Sequence, residues 1–144
     1  MAEGYIDIVC NIFTPEAVRN GWTGLDEAFK EQVRMDPGLR PGIAIEDYLR
    51  KMDDAGIERS LLIAVRAGDM RVQGSFEVPY EAIAEICQRH PDRFSGLAGV
   101  DPTRGMQGLR DLEKGVKEFG FVGAHWYPHW FSMRPDAAQI YPYY

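Results

Sequence analysis

The chain is poor in cysteine and histidine, with two residues of the first type, Cys10 and Cys87, and three of the second. Two thiols exclude a disulfide framework and suit a reducing compartment, so a cytoplasmic location is expected. No stretch approaches the ~20 apolar residues of a membrane-spanning helix. The start, Met1-Ala2-Glu3-Gly4, lacks the basic region followed by an apolar run that marks a signal peptide. Basic residues are outnumbered, 16 Lys and Arg against 22 Asp and Glu, giving a net charge of -6 with no basic cluster. Nucleic acid and anionic membrane surfaces are therefore not expected as partners. Also missing are a Gly-rich phosphate loop, a Cys-x-x-Cys pair, a His-Glu-x-x-His motif and a Gly-x-Ser-x-Gly elbow.

What is present suits one α/β domain spanning residues 1–144. The chain is 45% apolar and 26% charged, ordinary for a globular protein able to bury a core. Tyr5 to Cys10 reads as a first strand, apolar on both faces apart from Asp7, as in a parallel sheet covered on both sides. A long connection follows, Asn11 to Gly42. It holds a helix predicted from Leu25 to Met35, with Leu25, Ala28, Phe29 and Val33 at packing positions. Ile45, Tyr48, Leu49 and Met52 fall at i, i+3, i+4 and i+7, which predicts an amphipathic helix over residues 45–55, ended by Gly56.

The second strand is predicted over Ser60–Val65, followed by a polar loop from Arg66 to Val78. Pro79 opens a helix reaching His90, which Pro91 stops. A third strand, Phe94–Val100, closes on Asp101-Pro102. Another helix, Met106–Phe119, presents Leu109, Leu112, Val116 and Phe119 on one face. The fourth strand is read as Phe121–Trp126, and Asp136–Tyr144 as the beginning of a last helix. Strands alternate with helices, which predicts a parallel sheet.

The first strand resembles that of the amidohydrolase-related family, metal-dependent hydrolases and decarboxylases that write Asp-x-His-x-His here. Asp7 is kept, whereas Val9 and Asn11 stand at the two histidine positions. Gly56-Ile57-Glu58-Arg59-Ser60, His90-Pro91-Asp92-Arg93-Phe94, Val100-Asp101-Pro102 and Phe119-Gly120-Phe121-Val122-Gly123-Ala124 resemble further signposts of that family, in order. The resemblance implies the first four β/α units of a TIM-type (β/α)8 barrel, whose full form needs eight strands and ~250 residues. It also implies hydrolysis, decarboxylation or hydration of a small carboxylated or aromatic substrate. No metal ligand is assigned within this chain; a zinc-like divalent ion would need ligands outside it. Four strands leave two uncovered edges, so a partner is expected, either a second chain supplying the other half barrel or another copy in a homo-oligomer.

In a β/α barrel, chemistry sits at the C-terminal strand ends. His125, near the end of the fourth strand, is the candidate acid/base, since imidazole titrates near neutrality; the plainer reading is a satisfied core histidine. Asn11 is a candidate catalytic or substrate-orienting amide, or else a turn residue. Candidate substrate-binding residues are Arg66, Asp101, Tyr127, His129 and Trp22. For Arg66 the alternative is an ion pair with Asp69 or Glu77, and for Asp101 a turn cap before proline. Period-two alternation places Asp7 with Val9 and Asn11 on the interior face and turns Cys10 towards the helices as inert packing. Two functions remain: a half of a hydrolase or carbon–carbon lyase, or a non-catalytic half barrel that assembles with a catalytic partner.

Overall fold

A computed structural model describes residues 4–144; Met1 to Glu3, and with them the reading of the chain's start, lie outside the described residues. The order of main elements is β1 (Tyr5–Cys10), α1 (Pro15–Arg19), α2 (Glu27–Gln32), α3 (Ile45–Asp54), β2 (Ile57–Ala64), β3 (Arg66–Ala67), β4 (Phe76–Glu77), α4 (Tyr80–Arg89), β5 (Phe94–Gly99), α5 (Met106–Lys117) and β6 (Gly123–His125). Four strands form one sheet in the order β1-β2-β5-β6, all pairs parallel. Neighbours in space are successive β/α units, the winding of the first half of a β/α barrel.

The two faces of the sheet are fixed by register. Ser60, Leu62 and Ala64 of β2 pair with Phe94, Gly96 and Ala98 of β5. This face meets the helices: Ser60 Oγ reaches Met52 of α3 at 3.7 Å, and Phe94 stacks on Tyr48 at 5.9 Å. Ile83, Ala84 and Ile86 of α4 are buried against the same core. Gly115 of α5 lies so close that an added Cβ would meet Tyr80, Phe121 and Ala98 at 3.0 to 3.2 Å. The opposite, barrel-interior face carries Leu61 and Ile63 beside Ser95 and Leu97, and ends on Gly99 and His125.

Several sequence expectations give way. β1 is an edge strand rather than a covered one: it pairs with β2 alone among the described strands, leaving Tyr5, Ile6, Ile8 and Val9 more than half exposed. Asp7 does not share a face with Asn11 in the way strict alternation demands. Asp7 pairs with Ser60 and Cys10 with Leu62. Three residues of β1 thus cover two of β2, a bulge that puts Asp7 and Cys10 together on the helix side. The helix expected over Leu25–Met35 shortens to six residues, and Phe29 and Val33 stay exposed. Lys30 is its buried residue, pairing with Glu27 at 2.6 Å; its aliphatic stem packs while the ammonium finds a carboxylate. Val116 of α5 is also exposed, because Gly108 and Gly115 set the buried stripe.

The loop from Arg66 to Val78 contains a small antiparallel hairpin of β3 and β4, a pairing too short to show as alternation. β2 starts earlier than expected, at Ile57, and β6 is shorter at three residues. The last segment forms no α-helix; a 3-10 turn spans Tyr141–Tyr143. No helix of the described residues is long and apolar enough to cross a membrane.

Candidate active site at the strand ends

His125 closes β6 in register with Gly99, on the interior face. The position is held by the backbone: Val100 N donates to the His125 carbonyl at 2.8 Å. Burial pushes the His125 imidazole below its ordinary value, so the ring is held neutral. Its Nδ1 is buried with no partner among the described residues. A buried, unpartnered ring nitrogen carries an unmet hydrogen-bonding capacity.

The chain leaves β6 through Tyr127, and a 3-10 turn over Pro128–Phe131 follows. Tyr127 stands edge-on to His125, ring centres 4.4 Å apart, and 5.7 Å from His129 on its other side. Burial raises the Tyr127 phenol above its ordinary value. His129 is tilted against Trp130 at 6.3 Å, and Trp130 meets Phe76 of the hairpin edge-on at 5.9 Å. The structure brings His125, Tyr127 and His129 into one cluster, while Asn11, exposed at the end of β1, lies beside the helix-side groove that Cys10 and Tyr48 also line.

The other candidates lie apart from this cluster. Arg66 is engaged with Glu77 at 2.8 Å and Asp111 at 3.6 Å, with its guanidinium over the Tyr80 ring at 5.0 Å. Arg104 joins Asp111 at 2.9 Å. Glu77 was a foreseeable partner; Asp111 and Arg104 carry no sequence signal, because tertiary packing alone brings α5 to the hairpin. Asp101 is buried and bonds its own turn, accepting from Thr103 N at 2.9 Å and Thr103 Oγ1 at 2.6 Å. A cleft of about 420 Å³ between these groups is lined by Asp69, Met70, Arg71, Glu77, Asp101, Thr103 and Arg104. Trp22 lies on the helix side, in a groove shared with Pro79 and Ile86. Cys10 faces the helices, 2.8 Å from the Tyr48 hydroxyl, and burial raises its thiol to about 11. That protonated thiol is a poor nucleophile.

Among the described residues no three His, Cys, Asp or Glu side chains converge as a metal site would require. Val9 and Asn11 offer no imidazole where the family's first strand does, and a neutral amide is a weak ligand for zinc. The donors among the described residues do not by themselves fit a divalent ion.

Comparison with known proteins agrees with this architecture. No family model matches the chain. It is 32% identical over 124 residues to the gamma-resorcylate decarboxylase of Polaromonas sp. strain JS666, a match spanning 73% of this chain and 38% of that protein. Among solved structures, the 2,6-dihydroxybenzoate decarboxylase from Rhizobium superposes with a TM-score of 0.63 at 24% identity, over 97% of this chain and 45% of that one. The dihydroxybenzoic acid decarboxylase from Polaromonas sp. JS666, solved with manganese and 2-nitroresorcinol, gives 0.62 at 26% identity with the same coverage. The 4-oxalomesaconate hydratase from Rhodopseudomonas palustris gives 0.57 at 28% identity, over 95% of this chain and 47% of that one. The chain spans less than half the length of these relatives. Its architecture is that of half a TIM-type barrel, similar to the corresponding part of these decarboxylases and of this hydratase.

Proposed function

We propose that residues 1–144 form one domain that supplies half of the active site of a cytoplasmic decarboxylase- or hydrolase-type barrel enzyme. The substrate would be a small carboxylated or aromatic molecule. The observation that carries this reading is His125, a neutral, interior-facing imidazole at a strand end with one ring nitrogen unpartnered. A neutral imidazole would take a proton from solvent water or an acidic substrate hydroxyl and, as the imidazolium, deliver it to the substrate carbon as the carbon–carboxylate bond breaks and carbon dioxide leaves. Tyr127 and His129, packed beside it, would orient the substrate, with Asn11 as a further candidate at the end of the first strand. Arg66 would act there only by exchanging Glu77 for a substrate carboxylate, with Asp101 and Trp22 further from the reacting centre.

Activity requires a completed barrel. β1 and β6 present unpaired edges among the described residues, and β1 adds exposed Tyr5, Ile6, Ile8 and Val9. A second half, from further chain, a second polypeptide or another copy, would pair both edges and bring any metal ligands. The test is decarboxylation of 2,6-dihydroxybenzoate by the completed barrel. His125→Gln is expected to lower kcat by 100-fold or more, in the range of general acid–base catalysis, ~10²–10⁴; unchanged turnover overturns the assignment. The second reading, a non-catalytic half that assembles with a catalytic partner, is favoured by Val9 and Asn11 at the family's histidine positions. A partner that turns over fully with His125 substituted would establish it.

A further inference from the structure

Arg59 places a charge on the barrel-interior face. It lies two residues before Leu61 and four before Ile63 in β2, and so on their side of the sheet. Its guanidinium donates to Ser95 Oγ at 2.9 Å, on the same face, and to the Pro91 carbonyl at 3.0 Å. Both acceptors are neutral, and no carboxylate among the described residues forms an ion pair with it. Arg93, at the same end of the sheet, shows the contrast: it donates to the Glu58 and Ile57 carbonyls and also pairs with Asp53 at 2.7 Å. Beyond Arg59 the interior face turns apolar, with Leu61, Ile63 and Leu97. A half-buried positive charge thus stands in the floor of the half barrel, at the end away from His125. A charge enclosed without a counter-charge is costly.

A second copy of this chain does not supply the counter-charge. β2 is the second strand of the sheet. A two-fold axis along an eight-strand barrel sets the copy's β2 diametrically opposite, in the position of a sixth strand. Interior layers are filled from alternate strands, so the two Arg59 side chains would face each other in one floor layer. Ile6, beside Arg59 on β1, brings no acid to it. We propose that the interior face takes a second, non-identical β/α half, of the kind that makes up the remainder of a TIM-type barrel, carrying a carboxylate in the floor layer opposite Arg59. Arg59 thereby selects the partner: it attracts an acidic floor and repels a second copy. This partner choice rests on the reading of a completed barrel, not on His125 or on turnover.

The experiment is a charge swap read by sedimentation velocity. The 144-residue chain and its Arg59→Glu variant are run alone and in an equimolar mixture, the variant serving as a half barrel with an acidic floor. Arg59→Met, which removes the charge and keeps most of the side chain's length, is run beside them. Circular dichroism checks that each variant is folded. The mixture is expected to form a 1:1 pair about tenfold or more tighter than either protein forms with itself, and Arg59→Met to self-associate more tightly than the unaltered chain. A mixture no tighter than the unaltered chain overturns the proposal. So does a dimer of the unaltered chain that Arg59→Met leaves equally tight, which would make a second copy the occupant. If Arg59→Glu does not fold, the comparison of Arg59→Met with the unaltered chain decides by itself: tighter self-association supports the proposal and no change overturns it. A failed charge swap leaves the His125 assignment standing, whereas unchanged turnover in His125→Gln sinks that assignment and leaves the floor charge, so the two failures are distinguishable.

Discussion

The inner pair of strands and the outer pair are built from similar residues and end in different environments. β2 and β5 hold Leu62, Ile63, Ala64, Phe94 and Ala98, each 3% exposed or less. β1 is just as apolar, yet Ile6 and Ile8 are 60% and 65% exposed. The difference lies in neighbours: β2 and β5 have a strand on either side and helices above, whereas β1 has one neighbour and a bulge. Hydrophobic stabilisation follows area removed from water, at ~25 cal/mol per Å², so equal sequences contribute unequally. The apolar edge marks where the rest of a barrel would pack, and the inner strands hold what stability the half has.

The strongest test of that contrast substitutes both regions. Phe94→Ala is expected to cost the chain about 3–5 kcal/mol in urea unfolding, while Ile8→Ala shifts it by no more than ~0.5 kcal/mol. An equal loss at Ile8 would mean that β1 is already covered. A smaller effect is expected at the helix contact: Gly115→Ala places a methyl against Tyr80, Phe121 and Ala98 and should cost about 1–3 kcal/mol by overpacking, read as a lower melting temperature.

The mildest effect concerns pH. The folded His125 imidazole lies below the unfolded value near ~6.5. At neutral pH both states are unprotonated there. As pH falls through ~6.5 the unfolded chain binds a proton that the folded chain binds only at lower pH, so stability declines until the folded value is passed. His125→Gln should flatten the part of the urea-midpoint profile below pH ~6.5 that belongs to this residue; an unchanged slope would place the imidazole in solvent.

The helices α3 and α4 were legible because Ile45, Tyr48, Leu49 and Met52, and then Tyr80, Ile83, Ala84 and Cys87, repeat at helical spacing and do pack inwards. The parallel order followed from strands alternating with helices. The bulge in β1 was not legible, because an extra residue leaves no mark in a run where every residue but Asp7 is apolar. Nor was the burial of Lys30, which depends on Glu27 and on the loop around it. In the site, the place of His125 at a strand end was legible and β6 does close on it. The packing of Trp130 on Phe76 beside it joins residues more than fifty apart in sequence, a distance at which one chain's pattern carries no signal.

By itself the sequence determined the periodicities: which segments coil, which extend, and that an imidazole stands at the end of a strand while valine and asparagine stand where two more might. Those are local properties, set by side chains three or four residues apart on a helix and two apart on a strand. Only the tertiary structure decided that Arg66 belongs to Glu77 and Asp111, that Asp7 lies on the helix side, and that Trp130 meets Phe76. Each of these depends on how curved, bulged and packed elements bring distant residues within a few ångströms, and such distances exist only once the sheet has formed.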